Sequence, residues 1–142
     1  MLLSPIKIYK TQRKTGAIFF QHPDQIKLLI VMPKEEADND IFINNIQKST
    51  ETLGLHFETE VKIIGLASDK KLNWTGLNEF PTLKIAYFGE SINPFRALKI
   101  NQVAVLDNLS IFLTYSMSEI VKDPIKKGQF WNHFKTFIQA WI

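Results

Sequence analysis

The chain contains no cysteine. That excludes disulfides, zinc–thiolate sites and cysteine-ligated iron–sulfur clusters in one step, and it suits a reducing compartment. No apolar run approaches the roughly 18 residues of a membrane-spanning helix. The opening stretch MLLSPIKIYKTQRK has too short an apolar run, with charges on the wrong side, for a secretory signal. Charge of neither sign dominates: 17 basic against 14 acidic residues leave +3. That surplus is too small to argue for nucleic acid without a clustered patch. No internal repeat or low-complexity segment is visible. The expectation is a soluble, cytoplasmic protein with no cofactor or metal.

What is present is core. Of the 142 residues, 45% are apolar and 12% aromatic, enough for one globular domain rather than a disordered chain. Residues 1–25 are the least regular part and read as an N-terminal arm, with residues 26–142 as a single domain. The arm carries the densest basic run, Lys7, Lys10, Arg13 and Lys14. These residues suit contact with phosphate or an acidic partner, and equally a solvated turn.

From Lys27 onward the pattern sharpens. Leu28 to Met32, Val61 to Leu66 and Leu83 to Phe88 are continuous apolar runs, as strands buried on both faces require. Val103 to Leu106 and Ser110 to Thr114 follow, split by the turn signal Asp107-Asn108. A helix follows the first strand, with Asp38 or Asp40 as its cap. Phe42, Ile46 and Leu53 share one face of it, Ile43 lies beside them, and Gly54 is its stop. After Thr114 the sequence predicts a tight polar turn, Tyr115 to Glu119. A helix then opens at Asp123 and Pro124, with Phe130, Phe134, Phe137 and Trp141 at helical spacing and Trp131 and Ile138 widening the stripe. Strands alternating with helices predict a three-layer α/β/α domain around a mainly parallel, four-stranded sheet. Right-handed crossovers gather the loops that follow the strands on one sheet edge, where a ligand is first sought.

Those loops offer little organised chemistry. Glu35, Glu36, Asp38 and Asp40 form a carboxylate cluster that could hold a hard cation or supply a general base, but without ligand spacing. Trp74, close to Lys70 and Lys71, suits stacking on a base, anchoring a protein partner, or packing under its own loop. The segment FGESINPF is too short on glycine to cradle phosphate, and Ser91 and Asn93 read as helix caps. Ser116 and Ser118 have no adjacent base, and His22, His56 and His133 fall elsewhere, so a catalytic triad is not expected.

The order of elements and the C-terminal phrasing resemble the uracil-DNA glycosylase-like superfamily. Its members end a strand in a motif like T-Y-H-P-S, followed by D/N-P-x-x-K and an aromatic-rich helix. This chain reads Thr114, Tyr115, Ser116, Met117, Ser118, then Asp123, Pro124, Lys127, Phe130 and Trp131. LKIAYFGESINPFRAL and KLLIVMPKEEADND are similar to upstream segments of the same group, so the resemblance runs from about Lys27 to the C-terminus. It implies strand order 2-1-3-4. The departures fall on the catalytic positions. Met32-Pro33-Lys34-Glu35-Glu36 stands where a G-E-x-P-G motif belongs, and Ser116 where the family has its histidine. Each loss removes a contact typically worth roughly 10²-fold in rate.

The resemblance is nearest in character to the non-catalytic psi subunit of the bacterial DNA polymerase III holoenzyme. It implies a non-enzymatic protein-interaction subunit of DNA replication or repair, partnered by clamp-loader-associated proteins, with direct nucleic-acid contact a further option. Candidate partner contacts are Lys7, Lys10, Arg13, Lys14, Trp74 and Trp131. Two alternatives stay open. One is a divergent glycosylase-like enzyme in which Glu35 or Asp38 activates water while Ser116 and Asn93 contact the base. The other is an unrelated α/β binding domain.

Overall fold

The computed structural model describes residues 26–67, 83–92, 97–106 and 109–140. Of the residues singled out above, Lys7, Lys10, Arg13, Lys14, His22, Lys70, Lys71, Trp74, Asn93, Asp107, Asn108 and Trp141 lie outside that set. Five strands form one sheet: β1 (Leu28–Pro33), β2 (Val61–Leu66), β3 (Leu83–Phe88), β4 (Gln102–Leu106) and β5 (Leu109–Thr114). The order is β2-β1-β3-β5-β4. The first three pairings are parallel, and only β4 and β5 are antiparallel. Among the described residues the sheet therefore has five strands rather than the expected four, and its order departs from 2-1-3-4, because β5 pairs with β3 and β4 lies outside it at the edge. Gln102–Leu106 extends it by pairing back on β5, with Ala104 opposite Ile111.

The central strands are buried on both faces, which is why they read as unbroken apolar runs. Leu28, Ile30, Met32, Ala86, Phe88 and Phe112 point to one side, and Leu29, Val31, Ile85, Tyr87, Ile111 and Leu113 to the other. The first side carries helices α2 (Asp40–Thr52), α4 (Met117–Lys122) and α5 (Pro124–Gln139). Two one-turn helices, α1 (Lys34–Ala37) and α3 (Phe57–Glu60), flank β2. On the second side the described neighbours of the apolar surface are Ile26, Ile92, Leu98, Ile100 and Ala104. Among the described residues, then, the helical layer is on one face. No described helix is long and apolar enough to cross a membrane.

Helix α5 is the lid of that face. Asp123 accepts from the backbone N–H groups of Ile125 and Lys126, and Pro124 fills the first helical position, as the sequence predicts. Phe130, Phe134, Phe137 and Ile138 are buried by it. Phe137 stacks on Phe112 at 5.1 Å, while Phe130 and Phe134 meet Phe88 at 5.5 and 6.3 Å. Offset and tilted pairs of this kind add about 0.5–1.5 kcal/mol each beyond the area they bury.

Three local expectations are corrected. The cap of α2 is Asn39, not Asp38 or Asp40: its side-chain oxygen accepts from Ile41 and Phe42. Ser91 lies inside a 3-10 turn, Glu90–Ile92, rather than capping a helix. The strands are not apolar throughout either. Lys84 of β3 is only 5% exposed, and its ammonium donates to the Phe137 carbonyl at 2.6 Å, 4.6 Å above the Phe137 ring. Phe137 is in the last turn of α5, where carbonyls lack helical partners and cations are favoured. A lysine on the sheet thus caps the helix that covers it. Burial holds its ammonium pKa below the ordinary value.

Candidate functional site

The C-terminal ends of β1, β3 and β5 meet at one edge of the sheet. Gly89, just after β3, sits at φ +120°, a conformation that side chains disfavour. An added Cβ there would lie 3.6 Å from the Ser116 side chain and 3.8 Å from Pro33. The ends of the three strands are therefore in near contact. Beside them α1 lies hard against β2. A Cβ on Gly65 would come within 2.9 Å of Ala37 Cβ and 3.1 Å of Lys34 Cα.

The segment after β5 is not the polar turn expected over Tyr115–Glu119. It is a short helix, α4, which begins at Met117. Ser116 is its extended N-cap and closes a capping box with Glu119. The Ser116 hydroxyl and backbone N–H both donate to Glu119 Oε1, at 3.1 and 3.4 Å, and the Glu119 N–H returns a 3.4 Å bond to Ser116 Oγ. The S-x-x-E pattern was present in the sequence and signals this start.

Glu36 completes the edge. Its Oε1 accepts from the Met117 N–H at 2.9 Å and its Oε2 from the Ser118 hydroxyl at 3.1 Å. A carboxylate from α1 thereby occupies the positive end of a helix that starts 81 residues later. Ser116 Oγ and Ser118 Oγ are 3.1 Å apart, linking the two carboxylates into one chain of contacts. Glu119 in turn pairs with Lys126 at 2.7 Å. The hydrogen bond from Lys126 is the main reason that the Glu119 pKa lies below the ordinary carboxylate value, helped by the bonds from Ser116. Lys126 also lies 5.0 Å over the Tyr115 ring, whose hydroxyl donates to Gln129 at 2.7 Å.

The candidate residues separate under this geometry. Ser116 is in the cluster, with its hydroxyl donating to the Glu119 carboxylate, which also accepts from Lys126. Glu35 on α1 and Asp38 just after it are exposed and outside the cluster, and Asp38 pairs with Lys34 at 3.3 Å. Glu36, grouped with the carboxylates but not singled out, is the one that docks. His56 and His133 are exposed and take no part in it. Trp131 is half-buried and packs against the main core cluster, instead of standing out as a surface anchor. Among the described residues no group of His, Asp or Glu could hold a metal ion.

Among the described residues, the edge is a network of satisfied donors and acceptors. The groups that would have to meet a substrate at the turn after β5 (a helix N-terminus and two serine hydroxyls) are engaged by Glu36 and Glu119. No protein-family model matches the chain, and neither the curated proteins nor the solved structures compared with it give a match.

Proposed function

We propose that this chain is a non-catalytic protein-interaction subunit associated with DNA replication or repair, psi-like in character and built on a uracil-DNA glycosylase-like fold. The observation that carries the reading is the Glu36 carboxylate seated on the Met117 N–H and the Ser118 hydroxyl. In a glycosylase-like enzyme the turn after the last parallel strand has to face a flipped base and stabilise its departing charge. Here that position is spent on holding two loops together. The parallel part of the sheet, β2-β1-β3-β5, supports the fold assignment, with β4 as an added antiparallel edge strand. The partner is a clamp-loader or other replication protein, and the working compartment is the cytoplasm.

The test has two arms. Purified protein is incubated with duplexes containing uracil, hypoxanthine or a mismatch, and base release is followed. The same protein, tagged, is recovered from native lysate and its companions identified by mass spectrometry. The proposal expects no base release above background, and recovery of replication proteins. Base release that disappears in Ser116→Ala would replace it with the enzyme reading.

A further inference from the structure

The two edges of the sheet are finished differently. At the β2 edge the one-turn helices α1 and α3 lie against the strand, and the exposed Lys62 stands on it. Covering elements and edge lysines are ordinary devices that close a sheet to further pairing. The β4 edge has neither among the described residues. Its strand, QVAVL, carries no charge and no proline and lies outermost in the sheet. Val103 and Val105 are 50% and 68% exposed. They lie opposite Phe112 and Ser110, on the sheet face that α5 covers further in.

The register fixes which backbone groups are open. Leu106 and Leu109 face each other across a two-residue connection, so they exchange both hydrogen bonds, and along an antiparallel ladder such pairs alternate with unbonded ones. Ala104 is therefore bonded to Ile111, while the N–H and C=O groups of Val103 and Val105 point away from β5. Among the described residues nothing pairs with them on that outer side.

We propose that β4 pairs antiparallel with β4 of a second copy of this chain, about a two-fold axis through Ala104. In that register Val103 of one copy lies opposite Val105 of the other. The outward N–H and C=O groups of each valine then meet those of its counterpart, and none is left open. Valine faces valine on one side of the sheet and alanine faces alanine on the other. A two-fold contact requires such self-complementarity, because one patch must serve both partners. A strand from another protein could use the same backbone groups, but the sequence Val-Ala-Val is matched by its own reverse. The axis stands across the sheet, so both helical layers share one side, with the valines of the two copies between them. The closed β2 edge stops the assembly at a dimer. The inference is independent of the replication reading, and neither depends on the other.

The test uses the chain's lack of cysteine, since Ala104→Cys places a single thiol at the axis. Across an unbonded antiparallel pair the Cα atoms are about 4.5 Å apart, within the span of a disulfide. Mild oxidation of Ala104→Cys should therefore give a covalent dimer. Val103→Cys meets its own counterpart only diagonally, at about 7–8 Å, and should cross-link at least about tenfold more slowly. In sedimentation velocity over a concentration series the parent should pass from monomer to dimer. Val103→Lys/Val105→Lys sets like charges opposite each other and should weaken the dimer by about tenfold or more, whereas Val103→Lys/Val105→Glu sets opposite charges together and should dimerise about tenfold more tightly than the two-lysine variant. Both alter exposed positions that the fold tolerates, and unfolding would not produce that order.

A parent that stays monomeric throughout, with no covalent dimer from Ala104→Cys, overturns the proposal. So does faster cross-linking at Val103 than at Ala104, equal dimerisation of the two double variants, or growth beyond a dimer. If the pure parent is monomeric and a protein recovered with it from lysate is lost in the two-lysine variant, the edge belongs to that protein and the proposal is refuted.

Discussion

Among the described residues Glu36 is the side chain that ties α1 to the start of α4, and replacing it by alanine removes that tie. Two hydrogen bonds to a charged acceptor are lost, one from the Met117 N–H at 2.9 Å and one from the Ser118 hydroxyl at 3.1 Å. A hydrogen bond to a charged group contributes about 1.5–3 kcal/mol, and a carboxylate at a helix N-terminus adds about 0.3–1 kcal/mol. The Ser118 hydroxyl regains part of this by turning to Ser116 Oγ, 3.1 Å away. The Met117 N–H is half-sheltered and regains less. The net cost is about 2 kcal/mol, which for a domain of this length lowers Tm by about 6–10 °C. Glu36→Gln keeps an acceptor oxygen but not the charge and should cost about half as much. Its neighbour Glu35 is exposed and makes no such bond, so Glu35→Ala should stay within about 0.5 kcal/mol of the parent. Urea unfolding followed by circular dichroism gives all three values. If Glu36→Ala and Glu35→Ala prove equal, the closed edge does not exist as described, and the functional proposal loses its support.

Three further outcomes follow from the same structure. Gly65→Ala puts a methyl 2.9 Å from Ala37 Cβ and 3.1 Å from the Lys34 backbone. It should cost about 1–3 kcal/mol in the same unfolding assay and lower the added cost of Glu36→Ala, because α1 must shift. Lys84 has a folded-state pKa held below its unfolded value by burial. The unfolded chain therefore binds the extra proton, and the Lys84 contribution improves as pH rises through the folded pKa toward the unfolded one. Stability-versus-pH curves of the parent and Lys84→Met should diverge in that alkaline window, and parallel curves would refute the assignment. Glu60 is held low mainly by the His56 backbone N–H and then by Lys27, and Glu119 mainly by Lys126. Their stabilisation is present above the ordinary carboxylate value of 4.5 and is lost as pH falls below it. The double variant Glu60→Gln/Glu119→Gln should flatten the acid limb of the curve.

What was legible in the sequence was whatever depends on near neighbours. The buried strands announced themselves because both faces of β1 and β3 are covered, which leaves apolar side chains at every position but one. The start of α5 was legible because Asp123 and Pro124 solve its first-turn hydrogen bonding within three residues. The cap of α2 was missed by one residue, since Asp38, Asn39 and Asp40 are chemically equivalent caps and only backbone geometry chooses Asn39. Helix α4 was hidden by its own likeness to a catalytic motif, although Ser116 and Glu119 carried the capping signal. Two features had no local signature. Glu36 and Met117 are joined only by the fold, and the buried Lys84 meets the Phe137 carbonyl 53 residues along the chain. The edge strand β4 has exposed Val103 and Val105, so its burial pattern differs from that of the parallel strands. Its antiparallel return is set by its pairing with β5.

Under the proposed function, this domain holds a replication or repair protein and does no chemistry at its loop edge. Identification of the proteins that co-purify with the tagged chain from native lysate tests it most directly. Clamp-loader or other replication proteins should be recovered at stoichiometric levels, and recovery of none of them would refute the proposal.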